Sequence, residues 1–238
     1  EYSLASTSAL LDARERTWSD EVIEATGMPR RLFTDISPPG GFSAGLLPET
    51  GRTAKVICPG CHDTASAVAA TPLEGDGAMY ISSGTWSLAG MELDEPILTD
   101  AAREANFTNE GGVDNTIRFL KNVMGLWIIQ ECQRLWPEAG DELGFGDICD
   151  AAETAPPFVA LVNANAERFL APKDMLAEIR AECERTGQPA PAGVGPTARC
   201  VFESLAMAYR ECLEQLRRLT GQGIDRIHIV GGGAQNKL

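Results

Sequence analysis

Long hydrophobic runs are missing from this 238-residue chain, and no stretch of about 18 apolar residues marks a membrane span. Basic residues are also scarce. Only 20 Lys and Arg stand against 34 Asp and Glu, which gives a formal net charge of −14 and a pI near 4.6. Such a chain repels polyanions, which argues against nucleic-acid binding. A nucleotide is a different case, because backbone N–H groups and Mg²⁺ outweigh net charge at a small site. Histidine occurs twice, and Cys58-Pro-Gly-Cys61 has no second CxxC to match it, so a zinc site lacks its usual ligand set. Neither GxxxxGK[ST] nor GxGxxG is present, which removes the P-loop and the dinucleotide-binding fingerprint. No basic stretch leads into an apolar one near the start, so no export signal is expected. The seven cysteines are odd in number and irregular in spacing, which reads as thiols in a cytoplasmic protein. The chain opens at Glu1-Tyr2-Ser3 and closes at Lys237-Leu238, just past a glycine cluster, and it reads as an interior piece of a longer protein.

Hydrophobic residues make up 44% of the chain, enough for a sizeable core. Ser19 followed by Asp20 and Glu21 predicts a helix start, stopped by Gly27 and Pro29. A turn-rich stretch runs from Ser37 to about Thr53. Residues 54–58 read as a short buried strand, and 64–70 as a helix capped by Asp63 or Thr64. Thr71 to Gly77 suits a linker and the best domain boundary. Residues 78–83 and 86–93 are apolar runs around Ser83-Gly84-Thr85, which predicts a β-hairpin. A helix is expected over 120–136 and a strand over 158–162. A second helix is expected from Pro172 to Gly187, then a flexible segment over 188–196. Cys183 and Cys200 flank that segment and can approach each other. A long amphipathic helix is predicted over 197–220, ended by Gly221, then a buried strand over 227–230. This mixture of strands and helices indicates an α/β fold with some antiparallel pairing.

Four segments carry candidate chemistry. Gly60-Cys61-His62-Asp63-Thr64 lies between a strand and a helix start, where α/β proteins place their sites. A carboxylate there can accept a proton from a substrate hydroxyl; equally, Asp63 can simply cap the helix. Ser82-Ser83-Gly84-Thr85-Trp86-Ser87 offers N–H groups and hydroxyls that can cradle a phosphate, or it is an ordinary hairpin turn. Val230-Gly231-Gly232-Gly233 lets a ligand approach the main chain, or is a plain turn at a strand end. In the fourth segment, Asn122 and Gln130 are placed about two turns apart on the helix expected over 120–136. They can bind a polyol or lie on a helix surface.

Taken together, the wording and order of these segments resemble the FGGY family of carbohydrate kinases. The similarity rests on HDTASAV (62–68), SSGTWSL (82–88), NEGG (109–112), LKNVMGLW (120–127), the segment from Ala198 to Tyr209, and HIVGGGAQN (228–236). It covers nearly the whole chain. The resemblance implies two actin-like, ribonuclease-H-like lobes with a cleft between them. Residues 1–72 would end the sugar-binding lobe, and 73–238 would form most of the ATP-binding lobe. Both ends of the fold would be missing, so the piece alone is expected to be inactive. The implied reaction moves the γ-phosphoryl of ATP, with Mg²⁺, to a sugar hydroxyl. In the branch matched most strongly, that is the 1-hydroxyl of L-rhamnulose. By position, Asp63 is implied as catalytic base, with His62, Thr64 and Asn122 beside the sugar. Thr85, Gln130 and Gly232 are implied as ATP contacts. The expected partners are thus small molecules, with neither nucleic acid nor membrane, and the expected state is a monomer. Two other readings remain: a kinase for another ketose or polyol such as fuculose or xylulose, and a non-catalytic sugar- or nucleotide-binding relative.

Overall fold

The computed structural model of the chain describes residues 1–41, 43–73, 75, 77–136 and 143–238. It is an α/β protein. The helices are α1 (Tyr2–Ala5), α2 (Asp20–Thr26), α3 (Asp63–Ala69), α4 (Asp100–Glu104), α5 (Trp127–Leu135), α6 (Phe145–Thr154), α7 (Met175–Arg185) and α8 (Val194–Thr220). The strands are β1 (Leu11–Asp12), β2 (Thr17–Trp18), β3 (Ser43–Gly45), β4 (Lys55–Ile57), β5 (Ala78–Ser83), β6 (Ser87–Leu93), β7 (Thr108–Gly111), β8 (Ile117–Val123) and β9 (Arg226–Val230). Two short ribbons, β1–β2 and β3–β4, accompany a five-stranded sheet in the order β7-β8-β6-β5-β9. The chain divides into two compact units. One contains 1–80, 90–121 and 216–228; the other contains 81–89, 122–215 and 229–238.

In the first unit, α2 forms as its sequence dictates. The Ser19 hydroxyl accepts from Val22 N, and Gly27 ends the helix at φ 72°. The antiparallel pair β7–β8 sets Glu110 opposite Arg118 and Asn109 opposite Phe119. Phe107 and Phe119 stack with centroids 4.8 Å apart. Helix α1 packs on this pair: the Ser6 hydroxyl accepts from Gly111 N, and the Tyr2 ring fills the space a side chain at 111 would need.

The second unit is built on packed helices. Ile128, Ile129 and Cys132 of α5 meet Ile148 of α6, Ile179 and Cys183 of α7, and Val201 and Leu205 of α8 in one buried cluster with Phe169. Burial pushes the Cys132 and Cys200 thiols up to about 12. Cys183 and Cys200 are hydrogen-bonded thiols.

Several expectations need correction. Residues 120–123 belong to strand β8, and the helix begins only at Trp127. The place of β8 between β7 and β6, with Leu120 opposite Thr108, and the apolar residues Ile117, Phe119 and Val123 override helix propensity there. Residues 158–162 form no strand, because Phe158 sits at φ 53° and breaks the extended run. Their backbone donors go to side chains instead: Phe158 N to Glu203, Leu161 N to Gln188 and Val162 N to Ser204. Strands β4 and β9 exist but are largely exposed rather than buried. Helix α7 starts at Met175 under an Asp174 cap, not at Pro172. Helix α8 starts at Val194, so it takes in the end of the segment expected to be flexible. Of the 71–77 linker, Glu74 and Asp76 lie outside the described residues.

Candidate active site

The loop between β4 and α3 is held from below by the first turn of the chain. Glu1 caps α1, and its Oε2 also accepts from Cys61 N at 3.0 Å. Burial raises the Glu1 carboxyl, but hydrogen bonds from Ser3, Cys61 and Leu4 outweigh it and hold the group below its usual range. The Ser3 hydroxyl accepts from His62 N at 3.1 Å. His62 therefore leaves the loop in a fixed direction and becomes the N-cap residue of α3. It makes no side-chain cap bond, so its ring is free for other partners.

Asp63 is the first residue of α3 rather than its cap. Its Oδ1 accepts from Thr64 N at 2.6 Å and from the Thr64 hydroxyl at 3.2 Å, while 96% of the side chain stays exposed. Thr64 itself is buried. The carboxylate is thus aimed by its neighbour and open to solvent.

Behind His62 lies a charged pair that the sequence did not single out. Arg118, on β8, is fully buried; its Nε donates to Gly111 O, and its NH2 lies 3.1 Å from Glu110 Oε2. The same nitrogen sits 3.0 Å from His62 Nδ1. A guanidinium only donates, so Nδ1 must accept, and the imidazole proton resides on Nε2. Nε2 is 3.7 Å from Asp63 Oδ1. The cluster therefore presents an N–H donor beside a carboxylate acceptor. The available signal was positional: a Glu and an Arg in neighbouring strands that pair across only once the register is known.

In the second unit, segments far apart in sequence meet. The first N–H groups of α5 lack helical partners, and Leu126 N and Trp127 N donate instead to Gly84 O and Thr85 O, each at 2.9 Å. A side chain at Gly125 would strike Ser87 Oγ at 2.6 Å and Gly84 O at 2.7 Å, so the hairpin turn and the α5 start touch backbone to backbone. The glycine cluster closes on the same turn. Gly231, at φ 88°, packs on the Ser83 carbonyl, and Gly233 packs on the Ser83 side chain. Tyr209 of α8 adds a hydroxyl contact to Ser87 at 2.6 Å. A cavity of about 460 Å³ opens here, lined by Ser83, Leu126, Tyr209, Ile229, Gly233 and Asn236 among others. That volume suits a small organic ligand. Thr85 and Gly232 stand exposed beside lining residues in the sequence, and Gln130 is exposed on α5. Asn122 is exposed near the end of β8. Sequence reasoning placed Ser83 in the hairpin turn but assigned no individual role to Gly125 or Tyr209; the three hold this arrangement together.

The C-terminal domain of the FGGY family of carbohydrate kinases matches residues 79–238. This chain belongs to the FGGY carbohydrate kinase family. It is 44% identical over 237 residues to a rhamnulokinase of Pectobacterium atrosepticum, covering 99% of this chain and 47% of that protein. A rhamnulokinase of Bacteroides thetaiotaomicron is 41% identical, with 100% and 49% covered. Among solved structures, a xyloylose kinase from Brucella ovis superimposes with a TM-score of 0.67 at 18% identity, over 99% of this chain and 48% of that one. A gluconate kinase from Lactobacillus acidophilus gives 0.64 at 14% identity, over 99% and 48%. The chain thus has the α/β, actin-like and ribonuclease-H-like fold of FGGY kinases and spans about half the length of these relatives.

Proposed function

We propose that the protein containing this chain is an ATP-dependent sugar kinase that phosphorylates the 1-hydroxyl of L-rhamnulose. The reading rests on one observation above the others: the match to rhamnulokinases at 41–44% identity spans essentially the entire chain. Residues 1–72 are assigned to the end of the sugar-binding lobe and 73–238 to most of the ATP-binding lobe. Asp63 acts as the base. It takes the hydroxyl proton as the oxygen–phosphorus bond forms, a step worth about 10²- to 10⁴-fold in rate. His62 offers its Nε2–H to the sugar beside it, with Thr64 orienting the carboxylate and Asn122 as a further sugar contact. Thr85, Gln130 and Gly232 serve the nucleotide. Exposed backbone N–H groups of the hairpin and glycine turns suit phosphate oxygens. Mg²⁺, bound to those oxygens, would neutralise developing charge.

The test is a coupled assay of ADP release by the full-length protein over a panel of ketoses and polyols. Highest kcat/KM on L-rhamnulose is expected. Faster turnover of xylulose or fuculose overturns the substrate while keeping the reaction class, and absence of ADP release with every sugar overturns both.

A further inference from the structure

The tetrapeptide Cys58-Pro59-Gly60-Cys61 has no part in the reaction proposed above, yet the fold pins it at both ends. Cys58 O accepts from Gly40 N at 2.7 Å, and Cys61 N donates to Glu1 at 3.0 Å. Between them, Gly60 O accepts from the Ser66 hydroxyl at 2.6 Å, and a side chain at 60 would press on Ser66 and Val113 at 3.3 Å. Pro59 fixes its own φ. The outcome is a sulfur–sulfur separation of 3.3 Å between two free thiols, one half-buried and one exposed. The other cysteines for which burial is greatest, Cys132, Cys183, Cys200 and Cys212, are sealed in the interior.

We infer that Cys58 and Cys61 form a reversible dithiol–disulfide couple that exchanges with low-molecular-weight disulfides. In the first step the thiolate of one cysteine attacks one sulfur of the disulfide RSSR, forming a mixed disulfide and releasing RS⁻. The other cysteine then gives up its proton and attacks the sulfur of the first, closing the intramolecular bond and releasing the second RS⁻. Overall the protein loses two hydrogens and two electrons, and RSSR becomes two RSH. Closure needs the sulfurs to move from 3.3 Å to a bond length of about 2.05 Å, which side-chain rotation can supply. Either cysteine can attack first, because either sulfur can donate in the 3.3 Å contact. The hydrogen bond to Cys58, followed by burial, pushes the Cys61 thiol up. The disulfide would tie the end of β4 to the residue preceding His62.

The experiment equilibrates the full-length protein with mixtures of reduced and oxidised glutathione, then traps thiols by alkylation and maps the peptides by mass. The segment carrying both cysteines should lose two hydrogens. Its oxidation constant should exceed that of the same chain in urea by about tenfold or more, because the fold brings the sulfurs together. Cys61→Ser should trap one glutathione on Cys58. Full alkylation of both cysteines at every ratio overturns the inference, as does equal oxidation in urea. A stable glutathione adduct on the unmutated pair without an internal disulfide overturns it too. The wild-type mapping needs neither kinase activity nor a folded variant, so its outcome is independent of the proposed reaction.

Discussion

Arg118 bears on the proposed chemistry through His62, because a guanidinium cannot accept a hydrogen bond. Its contact with His62 Nδ1 fixes the ring proton on Nε2. Arg118→Met is expected to move that proton to Nδ1, where Glu110 Oε2 at 3.5 Å can accept it. Arg118→Lys keeps a donor and should preserve the Nε2–H form. Nitrogen chemical shifts of the imidazole decide this, with His228, the only other histidine, as an internal control. A purely structural role for Arg118 would leave the tautomer unchanged. The methionine variant also leaves Glu110 buried without its partner, so a loss of about 3–5 kcal/mol in chemical denaturation is expected. At Asp63, replacement by Asn in the full-length protein should lower kcat by about 10²- to 10⁴-fold. ATP affinity should change little. Near-normal turnover of that variant would remove Asp63 from the base role.

At the scale of elements, the turn after β5 and the turn after β9 depend on the same serine. Gly233→Ala would drive a methyl group into the Ser83 side chain, and Gly231→Ala would place one 2.5 Å from the Ser83 carbonyl. Each should cost about 1–3 kcal/mol and weaken nucleotide binding. The two differ in how they can be relieved. Adding Ser83→Gly should rescue Gly233→Ala, since the nearest remaining atom is then the Ser83 carbonyl at 3.4 Å. It should not rescue Gly231→Ala, where the obstacle is backbone and φ is 88°. Calorimetric titration of the four variants with ATP checks both statements. Elsewhere the helices obey local chemistry: Ser19→Ala should destabilise by about 1 kcal/mol through loss of the α2 cap.

Across the whole molecule, the FGGY assignment predicts that Mg²⁺–ATP stabilises the folded state. At 100 times its Kd the ligand should add about 2.7 kcal/mol, read as a rise in melting temperature. Gly231→Ala should reduce that rise, whereas Asp63→Asn should keep it, which separates nucleotide binding from proton transfer. An unchanged melting temperature for the wild-type protein at saturating ATP would contradict the nucleotide assignment.

Much of this protein follows from local sequence. Ser19, Asp20 and Gly27 bound a helix by capping alone, and Ser83-Gly84-Thr85 turns a hairpin between two short apolar runs. His62-Asp63-Thr64 stands at a helix start without a side-chain cap, and there the distant Ser3 hydroxyl fixes the His62 backbone. The misassigned stretches are those whose partners are remote. Residues 120–123 became strand because β8 lies between β7 and β6 in the sheet, with Leu120 opposite Thr108. The 158–162 segment lost its strand character to side chains of α8 and Gln188. The burial of Arg118 against His62, and the closure of two glycine-bearing segments on one hairpin, depend on contacts between residues tens of positions apart. Hydrogen bonds and caps within a few residues are written in order along the chain, whereas cross-strand register and backbone-to-backbone packing exist only once the chain has folded back on itself.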